Sequence, residues 1–430
     1  MIEKGNKKII NAWTFYDWAN SVYPLVVTTA IFPVFYGAVT KQELPDGTST
    51  EMISFFGYML RSSALYSYVV GASFLVVSFI SPVLGGLADY WGNKKFFLRL
   101  FCYIGAISCG SIYFFDTSHI ELSMLSIFMA SIGFWGSLVY YNAYLPEIAD
   151  PVDHDRISAK GFSLGYFGSS LLLITILVLI KGFDMEAKWA FVLVMIWWIG
   201  FAQYTLNVLP HNSKPKESEK VSIWKGLQEI KKVWDQIQDL IVIKRYLAAF
   251  FVYSMGVQTV LLMATLFAKQ EIWGEENKDG DTGLIVSVLI IQFIAIIGAG
   301  VFSRLSKKIG NISVLKIAVV IWFLVCAWAY TITTPMGFYI TAVIVGFVMG
   351  GVQALSRSTY SKMLPETKDH ASFFSFYDVL EKIGIFIGMF AFGFINQITG
   401  SMRNSIFALG AFFIVGLILL FFVPKHKLIN

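Results

Sequence analysis

Charged residues are scarce in this sequence. Asp, Glu, Lys and Arg make up 14% of its 430 residues, whereas soluble domains carry about 25%. Cysteine is nearly absent, and Cys102, Cys109 and Cys326 stand within apolar runs with no partner at a metal-ligand spacing. We therefore expect neither a disulfide framework nor a metal site, and we expect the three cysteines to pack as small apolar residues.

Motifs for nucleotide binding and catalysis are also missing. The GxxxxGK[ST] loop that cradles phosphates does not occur, which argues against ATP-driven transport. Neither an HExxH helix nor a paired Cys/His set occurs, and the five histidines fall in loops or tails between the apolar runs. Positive charge is spread over short loops instead of one patch. We expect no enzyme activity, no cofactor and no nucleic-acid partner.

Apolar residues, in contrast, are abundant. They make up 56% of the chain, and the mean hydropathy is +0.66. Runs of about 20 apolar residues, long enough to cross a hydrocarbon core of ~30 Å, recur along the sequence. We predict an all-α membrane protein that has the lipid bilayer as its partner. The twelve predicted membrane helices are 10–38, 62–86, 96–115, 121–145, 160–180, 188–209, 246–268, 282–303, 312–332, 336–357, 373–396 and 403–423.

The distribution of basic residues predicts the orientation. If the N-terminus is cytoplasmic, 25 Lys and Arg residues fall on the cytoplasmic side and seven on the other. Cytoplasmic loops of membrane proteins carry an excess of Lys and Arg. We therefore expect both termini in the cytoplasm and an even number of helices. Short termini and the lack of a targeting segment favour a bacterial inner membrane.

The chain divides into two six-helix halves, 1–209 and 246–430. Residues 210–245 form a cytoplasmic linker, and its second part predicts an amphipathic helix that lies on the inner membrane face or packs on the ends of the bundle. The halves repeat: "YLPE" at 144–147 corresponds to "MLPE" at 363–366, and Gly165 and Gly384 keep the same offset of 219. Two related six-helix halves are typical of secondary transporters, whose substrate lies between them near the membrane centre.

A second motif follows the second predicted helix. The run "GGLADYWGNKK" (85–95) resembles the helix 2–3 signature of the major facilitator superfamily, although Tyr90 stands where a basic residue is usual. Gly85 would let two helices approach closely, and Asp89 would face the N-terminus of a neighbouring helix. The resemblance implies a conformational latch that holds one side of the transporter shut. Its residues are Gly85, Asp89, Gly92, Lys94 and Lys95.

A narrower resemblance covers essentially the whole chain. The runs "YDWANSVYPLVVTTAIFPVFY", "YLPEIADPVDHDRISAKGFSLGYFGS" and "GGVQALSRSTYSKMLPE" are similar to a subfamily of major facilitators. Its fungal members include the vacuolar effluxer that releases amino acids after autophagic breakdown. The resemblance implies the major facilitator fold, with twelve helices in two pseudo-repeats, and an exporter of small solutes with amino acids as cargo.

The first predicted helix carries an unusual polar stripe. Asp17, Asn20, Ser21, Pro24 and Thr28 fall on one helical face, which should turn toward protein or water. Asp17 lies roughly 13 Å along the helix from Lys8, near the inner end of the span. It has no basic neighbour on its own helix, so any partner must come from another one. Asp17 is either a structural tie between helices or a group that acts in gating or proton handling.

The eleventh predicted helix carries a deeper charged group. Asp378 and Lys382 are spaced i, i+4, in the order that favours an intrahelical ion pair. Glu381 then has no basic neighbour at i±3 or i±4, and it lies roughly 16 Å from His370, toward the membrane centre. A carboxyl group there suits proton coupling. The alternative is that Glu381 pairs with Arg357 or Lys160 and holds the halves together.

Helices one, four, seven and ten line the cavity in this superfamily, so polar residues on them are candidate cavity residues. Arg357 would hold a carboxylate, or it would anchor to phospholipid or to Glu366. The leading hypothesis is a secondary transporter with alternating access and proton coupling. The alternatives are transport of a sugar, peptide or drug, or a sensor or lipid-handling protein that does not transport. The cavity candidates are Asn20, Ser21, Tyr141, Asn142, Ser254, Gln258, Gln353 and Arg357.

Overall fold

A computed structural model describes residues 4–43, 49–50, 52–210, 223–273, 278–367 and 369–424. In its first part a continuous helical rod is built from α1 (Lys7–Asn20), a π-helical segment at Tyr23–Ile31, and α2 (Phe32–Thr40). Two short antiparallel strand pairs follow the rod, β1 (Gln42–Glu43) with β2 (Ser49–Thr50) and β3 (Met52–Phe55) with β4 (Tyr58–Arg61). The helices that come next are α3 Ser62–Trp91, α4 Lys94–Ser111, α5 Ile120–Ala143, α6 Leu145–Ile148, α7 His154–Gly182 and α8 Trp189–Val208.

The second part repeats this pattern of long helices with short connections. A second π-helical segment, Lys269–Trp273, extends α10. The elements are α9 Ile223–Asp239, α10 Ile241–Ala268, α11 Lys278–Ile309, α12 Asn311–Thr331, α13 Pro335–Met363, α14 His370–Thr399 and α15 Met402–Phe421. Single 3₁₀ turns at Ile112–Phe114, Thr117–His119 and Pro151–Asp153 connect helices of the first part.

The long helical segments correspond to the twelve predicted membrane spans, with α1, the π-helical segment and α2 together forming the first, whereas α6 and α9 are additional short or linker helices. Within the described residues, eleven helical segments are long and apolar enough to cross a membrane. The remaining predicted span is α14, a helix of 30 residues that carries Asp378, Glu381 and Lys382. Most helices extend beyond the predicted apolar runs, because polar turns at either end continue the helix past the hydrocarbon core. The strands β1–β4 between α2 and α3 were not expected from the sequence.

Each half has its own set of helix contacts. In the first half α1 packs on α7 and α8, α4 packs on α5 and α8, and α3 packs on α5. In the second half α10 packs on α14 and α15, α12 packs on α13 and α15, and α11 packs on α13. The halves meet where α3 and α5 contact α14 and where α7 contacts α11 and α13.

The repeated glycines perform the same task in both halves. Gly165 on α7 lies against α1, where a methyl group would come within 3.1 Å of the backbone oxygen of Asp17. Gly384 on α14 lies against α10, where a methyl group would come within 3.2 Å of the side chain of Met255. A small residue lets each pair of helices approach closely. The common offset of 219 therefore reflects a common packing position.

The first and the last of the described residues belong to one face of the bundle, which we call the terminal face. The backbone N–H of Gly5, just before α1, donates to Ile148 at the end of α6 over 2.9 Å. Arg245 at the start of α10 donates to the backbone oxygen of Phe422 over 3.0 Å. We call the other end of the bundle the opposite face.

The linker helix α9 packs on this terminal face. It contacts α3, α10 and α14, and Val233 and Ile237 are buried in those contacts. Trp234 is half exposed and its ring lies 5.8 Å from that of Phe376. Of the two arrangements that the sequence allows, packing on the ends of the bundle is therefore present. Residues 211–222 of the linker lie outside the described residues.

Candidate functional site

A cavity of about 310 Å³ lies between the two halves. Its walls come from α1, α5 and α7 of the first half and from α10, α11, α13 and α14 of the second. It extends from Asp17 and Arg357 at its base to Leu284 and Phe338, which lie near the N-terminal ends of α11 and α13 at the opposite face. A mostly apolar concave site with a few convergent polar groups is typical of small-molecule binding.

The polar stripe predicted on the first helix forms one wall of this cavity. Asp17, Asn20, Ser21, Pro24 and Thr28 all line it. Pro24 lacks a backbone N–H, and the helix widens there to π geometry. The hydroxyls of Thr28 and its neighbour Thr29 both donate to the backbone oxygen of Pro24, each over 2.7 Å. The two threonine hydroxyls therefore supply this backbone oxygen with donors inside the π-helical stretch.

Asp17 and Arg357 form an ion pair between the halves at the base of the cavity. Arg357 Nη2 lies 3.3 Å from Asp17 Oδ2, and the hydroxyl of Tyr141 donates to the same oxygen over 2.7 Å. Arg357 also donates from Nε to the hydroxyl and from Nη2 to the backbone oxygen of Ser158, both over 2.9 Å. The ring of Phe162 lies 4.1 Å from the guanidinium. This arrangement desolvates both charges but leaves each of them paired.

Of the alternatives given for Arg357, contact with a carboxylate is present, since the guanidinium pairs with Asp17 across the halves. The alternative anchors, phospholipid and Glu366, do not fit a guanidinium that is 4% exposed and bound to Asp17 and Ser158. Asp17 does take its partner from another helix, as predicted. Lys160, proposed as a partner of Glu381, instead donates to the side chain of Asn11 over 2.6 Å.

Glu381 also differs from the expectation, because it does have a close cation. Lys382 Nζ lies 3.0 Å from Glu381 Oε2 and 2.9 Å from Asp378 Oδ1. The predicted pair of Asp378 and Lys382 is present, but the adjacent carboxylate shares the same ammonium group. Glu381 lines the cavity and accepts a hydrogen bond from Gln258 Nε2 over 2.7 Å. It pairs with neither Arg357 nor Lys160 in the described contacts.

Asp378 and Lys382 lie behind the cavity wall. Lys382 is fully buried, and its ammonium group lies 3.7 Å from the ring centre of Trp135 on α5. Asp378 accepts a hydrogen bond from Ser81 on α3 over 3.3 Å. These two predicted coupling residues are therefore outside the lining, and Lys382 contacts the indole of Trp135, which is itself a lining residue.

The other cavity candidates fall on the lining with one exception. Asn142, Ser254, Gln258 and Gln353 line the cavity together with Asn20, Ser21 and Arg357. Tyr141 is completely buried, and its ring stacks on Trp13 at 4.4 Å, so it supports Asp17 from behind instead of lining the cavity.

Several aromatic lining residues escaped the sequence analysis. Tyr166 donates to Gln353 across the halves over 2.5 Å. Tyr377 stacks on Phe250 at 4.1 Å beside Glu381. This chain is rich in aromatic residues, and the sequence pattern around a ring that faces the cavity does not differ from that around a ring in the core.

The predicted latch has its expected contact at the terminal face. Asp89 accepts hydrogen bonds from the backbone N–H groups of Ala371 and Ser372, over 3.2 and 2.7 Å, at the start of α14. A carboxylate at a helix N-terminus is stabilised by unpaired N–H groups and by the helix dipole. A methyl group at Gly85 would lie 3.0 Å from the backbone oxygen of Ala371, so the two helices are in close contact.

A set of ion pairs extends this contact. Lys94 lies 3.3 Å from Asp89 and also pairs with Glu147. His370 Nδ1 lies 3.0 Å from Glu147 Oε1, so the set joins the halves a second time. His370 is the first residue of α14, and His154 likewise starts α7, so both histidines lie on helices instead of in loops.

Two predicted members of the latch have other roles. Gly92 ends α3 with a positive φ of 62°, a conformation that glycine adopts at little cost. Lys95 donates to the backbone oxygen of Leu209 over 2.7 Å and so ties α4 to the end of α8 within the first half. The described contacts of these two residues do not reach the second half.

A further interhalf contact centres on Asp155, which the sequence analysis did not single out. Asp155 lies in the first turn of α7 and accepts hydrogen bonds from Ser306 over 2.6 Å and Ser358 over 2.7 Å. Lys362 Nζ lies 2.6 Å from its Oδ2, and Asn311 Nδ2 donates over 2.8 Å. In the sequence Asp155 belongs to the acidic run "DPVDHD", which is typical of a solvated loop.

One motif on α7 resembles a hydrolase signature but has another role. Residues 161–165, "GFSLG", match the GxSxG pattern of nucleophilic serines. That pattern requires a sharp turn between a strand and a helix, whereas here it lies inside a continuous helix. Gly161 and Gly165 face α1, where a side chain at either position would collide with Asp17 or Ser21.

Comparison with known proteins gives a consistent result over the whole chain. A family model described as "Vacuole effluxer Atg22 like" matches residues 5–430. The "Uncharacterized MFS-type transporter YxiO" of Bacillus subtilis is 30% identical, covering 97% of this chain and 95% of its own. Autophagy-related protein 22 of Vanderwaltozyma polyspora is 24% identical, covering 96% and 90%.

Solved structures share the fold at low sequence identity. The human organic anion transporter MFSD10 has a TM-score of 0.74 at 11% identity and covers 97% of this chain and 100% of its own. FucP, a major facilitator crystallised in the outward conformation, has a TM-score of 0.67 at 14% identity and covers 98% and 99%.

Proposed function

The chain belongs to the Atg22-like family of major facilitator superfamily transporters, and from this premise we propose that it exports amino acids by proton-coupled alternating access. Transporters of this type are integral membrane proteins that move small solutes and are not enzymes. The proposed cargo and coupling ion rest on the cavity and its charges, and the proposed direction is argued from the distribution of Lys and Arg.

The observation that carries the proposal is the cavity between the halves. It reaches the opposite face at one end and ends at the Asp17–Arg357 ion pair at the other. Below this pair, the contacts of Asp89 and Asp155 hold the halves together at the terminal face. A central site that is accessible from one side and sealed on the other by breakable polar contacts is what alternating access requires.

Transport then requires the terminal-face contacts to break. In the sealed state Asp89 and Asp155 each accept hydrogen bonds from the other half, and these carboxylates gain water as new partners when the halves separate. Because water replaces the protein partners, the net cost of opening is limited to about 1.5–3 kcal/mol for each hydrogen bond to these charged groups. The cavity then opens to the terminal face and closes at the opposite one.

The charges in the cavity support a zwitterionic cargo. Arg357 at the base suits a carboxylate, and Glu381 in the wall suits an ammonium group. Both groups already have protein partners, so a cargo would exchange with those partners instead of meeting a bare charge. The fungal relatives named autophagy-related protein 22 and the family description "vacuole effluxer" favour release of such molecules.

Proton coupling is supported by the way two carboxylates share one ammonium group. Lys382 contacts both Asp378 and Glu381, but only Glu381 lines the cavity. If Glu381 binds a proton, Asp378 still neutralises Lys382, so no buried cation is left unpaired. Glu381 can therefore exchange a proton with the cavity at low structural cost, which is what a coupling group must do.

The predicted orientation is compatible with the proposed direction. Lys and Arg are concentrated on the side that carries the termini, which favours a cytoplasmic terminal face. The cavity then faces the outside in the present conformation, as required for release of an exported solute. The Bacillus relative supports a bacterial cell membrane.

The test is release of a mixed amino-acid pool from proteoliposomes, with and without an imposed proton gradient. We expect gradient-dependent movement of at least one amino acid by the wild-type chain. Arg357→Gln should remove it, whereas Ile340→Ala, a lipid-facing change on the same helix, should leave it intact. Movement of sugars, peptides or drugs but of no amino acid would refute the proposed cargo, and binding without any movement would refute transport.

A further inference from the structure

Most polar side chains around the cavity have a partner, but Asn20 does not. It is 1% exposed and lines the cavity, yet its Nδ2 has no hydrogen-bond partner among the described residues. A buried polar group without a partner is costly, and such groups are rare in native proteins. One helical turn away, the hydrogen bonds to the side chain of Asp17 all end on Oδ2.

Gln292 on α11 is in the same situation in the other half. It lines the same cavity, and its buried Oε1 has no hydrogen-bond partner among the described residues. In the sequence it interrupts the run "VSVLIIQFIAII", where a polar side chain must turn away from lipid. The two other glutamines of the lining are paired, Gln258 with Glu381 and Gln353 with Tyr166.

We propose that Asn20 and Gln292 are specificity-determining residues that contact the cargo directly, one from each half. The inference rests on the proposed function, since it takes the cavity as the cargo site. A buried amide presents either its N–H or its carbonyl, so the pair selects a solute with hydrogen-bonding groups at separated points. Asp17 Oδ1, on the same face as Asn20, adds an acceptor that suits an ammonium group.

The chemistry of the selected cargo follows from these three groups. An α-amino acid presents a carboxylate oxygen to Asn20 Nδ2, beside the base of the cavity where Arg357 lies. Its ammonium group is held by a carboxylate of the lining, Glu381 or Asp17 Oδ1. A hydrogen-bond donor at its far end reaches Gln292 Oε1 on the opposite wall. A solute bound in this way touches both halves at once, so it stabilises the state in which the halves are closed around it.

The contacts predict a specific kinetic effect. Loss of one amide should raise the KM for the transported amino acid about tenfold and leave the maximal rate nearly unchanged, because the amide serves binding and not movement. Asn20→Ala and Gln292→Ala test the two contacts. Thr259→Val is the matched control, since Thr259 Oγ1 is also buried without a described partner but lies outside the cavity.

A second readout uses the ligand-free protein. If the amides are reserved for cargo, their removal breaks no bond within the protein, so the ligand-free Tm of both variants should equal or exceed that of the wild type. Exposure of Cys102, Cys109 and Cys326 to a thiol-reactive dye reports unfolding, because all three are buried. Added amino acid should raise the Tm of the wild type and of Thr259→Val more than that of either amide variant.

The outcomes distinguish a failure of the inference about Asn20 and Gln292 from a failure of the proposed function. An unchanged KM in both amide variants, or a clear fall in their ligand-free Tm, would overturn the inference even if the wild type transports amino acids. If the wild type neither moves nor is stabilised by any amino acid, the proposed cargo fails. The ligand-free Tm then still decides whether Asn20 and Gln292 are structural residues or groups held open for another polar solute.

Discussion

The sharpest prediction concerns the replacement of Glu381 by Gln. The substitution keeps the size of the side chain and an oxygen that accepts the hydrogen bond from Gln258 Nε2, but it removes the charge and the exchangeable proton. We expect transport that no longer varies with pH or with an imposed proton gradient. The protein should still fold and insert into the membrane.

The expected change in stability follows from the contacts of Lys382. Breaking an isolated buried ion pair costs about 3–5 kcal/mol, because an unpaired charge remains. Here Lys382 keeps Asp378 at 2.9 Å and the ring of Trp135 at 3.7 Å. The lost partner, Glu381, is 18% exposed. Glu381→Gln should therefore lower the free energy of unfolding by only about 1 kcal/mol, as for the loss of a partly solvated ion pair.

The assay compares transport at several pH values with thermal unfolding of the purified protein. Asp378→Asn is the matched control, because it removes the other carboxylate that shares Lys382 and also weakens the contact with Ser81. Asp378 does not line the cavity, so this variant should unfold at a lower temperature than Glu381→Gln. Its transport should still vary with pH, but over a different pH range, because Lys382 loses the partner that neutralises it when Glu381 binds a proton.

Two results would refute this reasoning. Transport by Glu381→Gln that varies with pH as the wild type does would remove Glu381 from proton coupling. Failure of Glu381→Gln to fold, with Asp378→Asn intact, would show that Glu381 and not Asp378 holds Lys382 in place.

Three further predictions concern the interhalf contacts and the helix packing. Asp89→Ala should lower the free energy of unfolding by about 0.5–2 kcal/mol, as for loss of a helix cap. It should also slow the thiol labelling of a cysteine placed in the cavity by Thr265→Cys, because the cavity then spends less time open to the opposite face. Arg357→Lys should reduce transport at least tenfold, since a lysine cannot bind Asp17 and both oxygens of Ser158 together; wild-type rates would contradict this. Gly350→Val should lower the Tm, because its side chain would collide with the backbone of α11, and an unchanged Tm would refute that close packing.

Local features of the chain were predictable from the sequence where they depend on the spacing of residues along one helix. The polar stripe of the first helix lines the cavity because i, i+3, i+4 spacing defines a face whatever lies opposite. The contact of Asp89 with a helix N-terminus was predictable for a similar reason, since a carboxylate at a membrane rim has few other partners that stabilise it. The pair of Asp378 and Lys382 needed only i, i+4 spacing.

Pairing between distant helices was not predictable in the same way. Arg357 and Asp17 are 340 residues apart, and nothing in either local sequence specifies the rotation and tilt that bring them together. The same holds for Asp155, whose acidic surroundings in the sequence gave no indication of four partners on the other half. Glu381 was misjudged because helical spacing omits a contact with the next residue, Lys382, which side-chain rotamers permit.

The sequence by itself indicated that the protein lies in a lipid bilayer. It also indicated the number of long helices, the two-part repeat and which face of the first helix is polar. These properties follow from composition and from short-range periodicity, which do not depend on how helices are arranged. The tertiary structure alone decided which charges pair, which aromatic rings face the cavity, and that Asn20 and Gln292 face it without a partner. Such contacts depend on the relative rotation of helices that are far apart in the chain, and packing of the whole bundle sets that rotation.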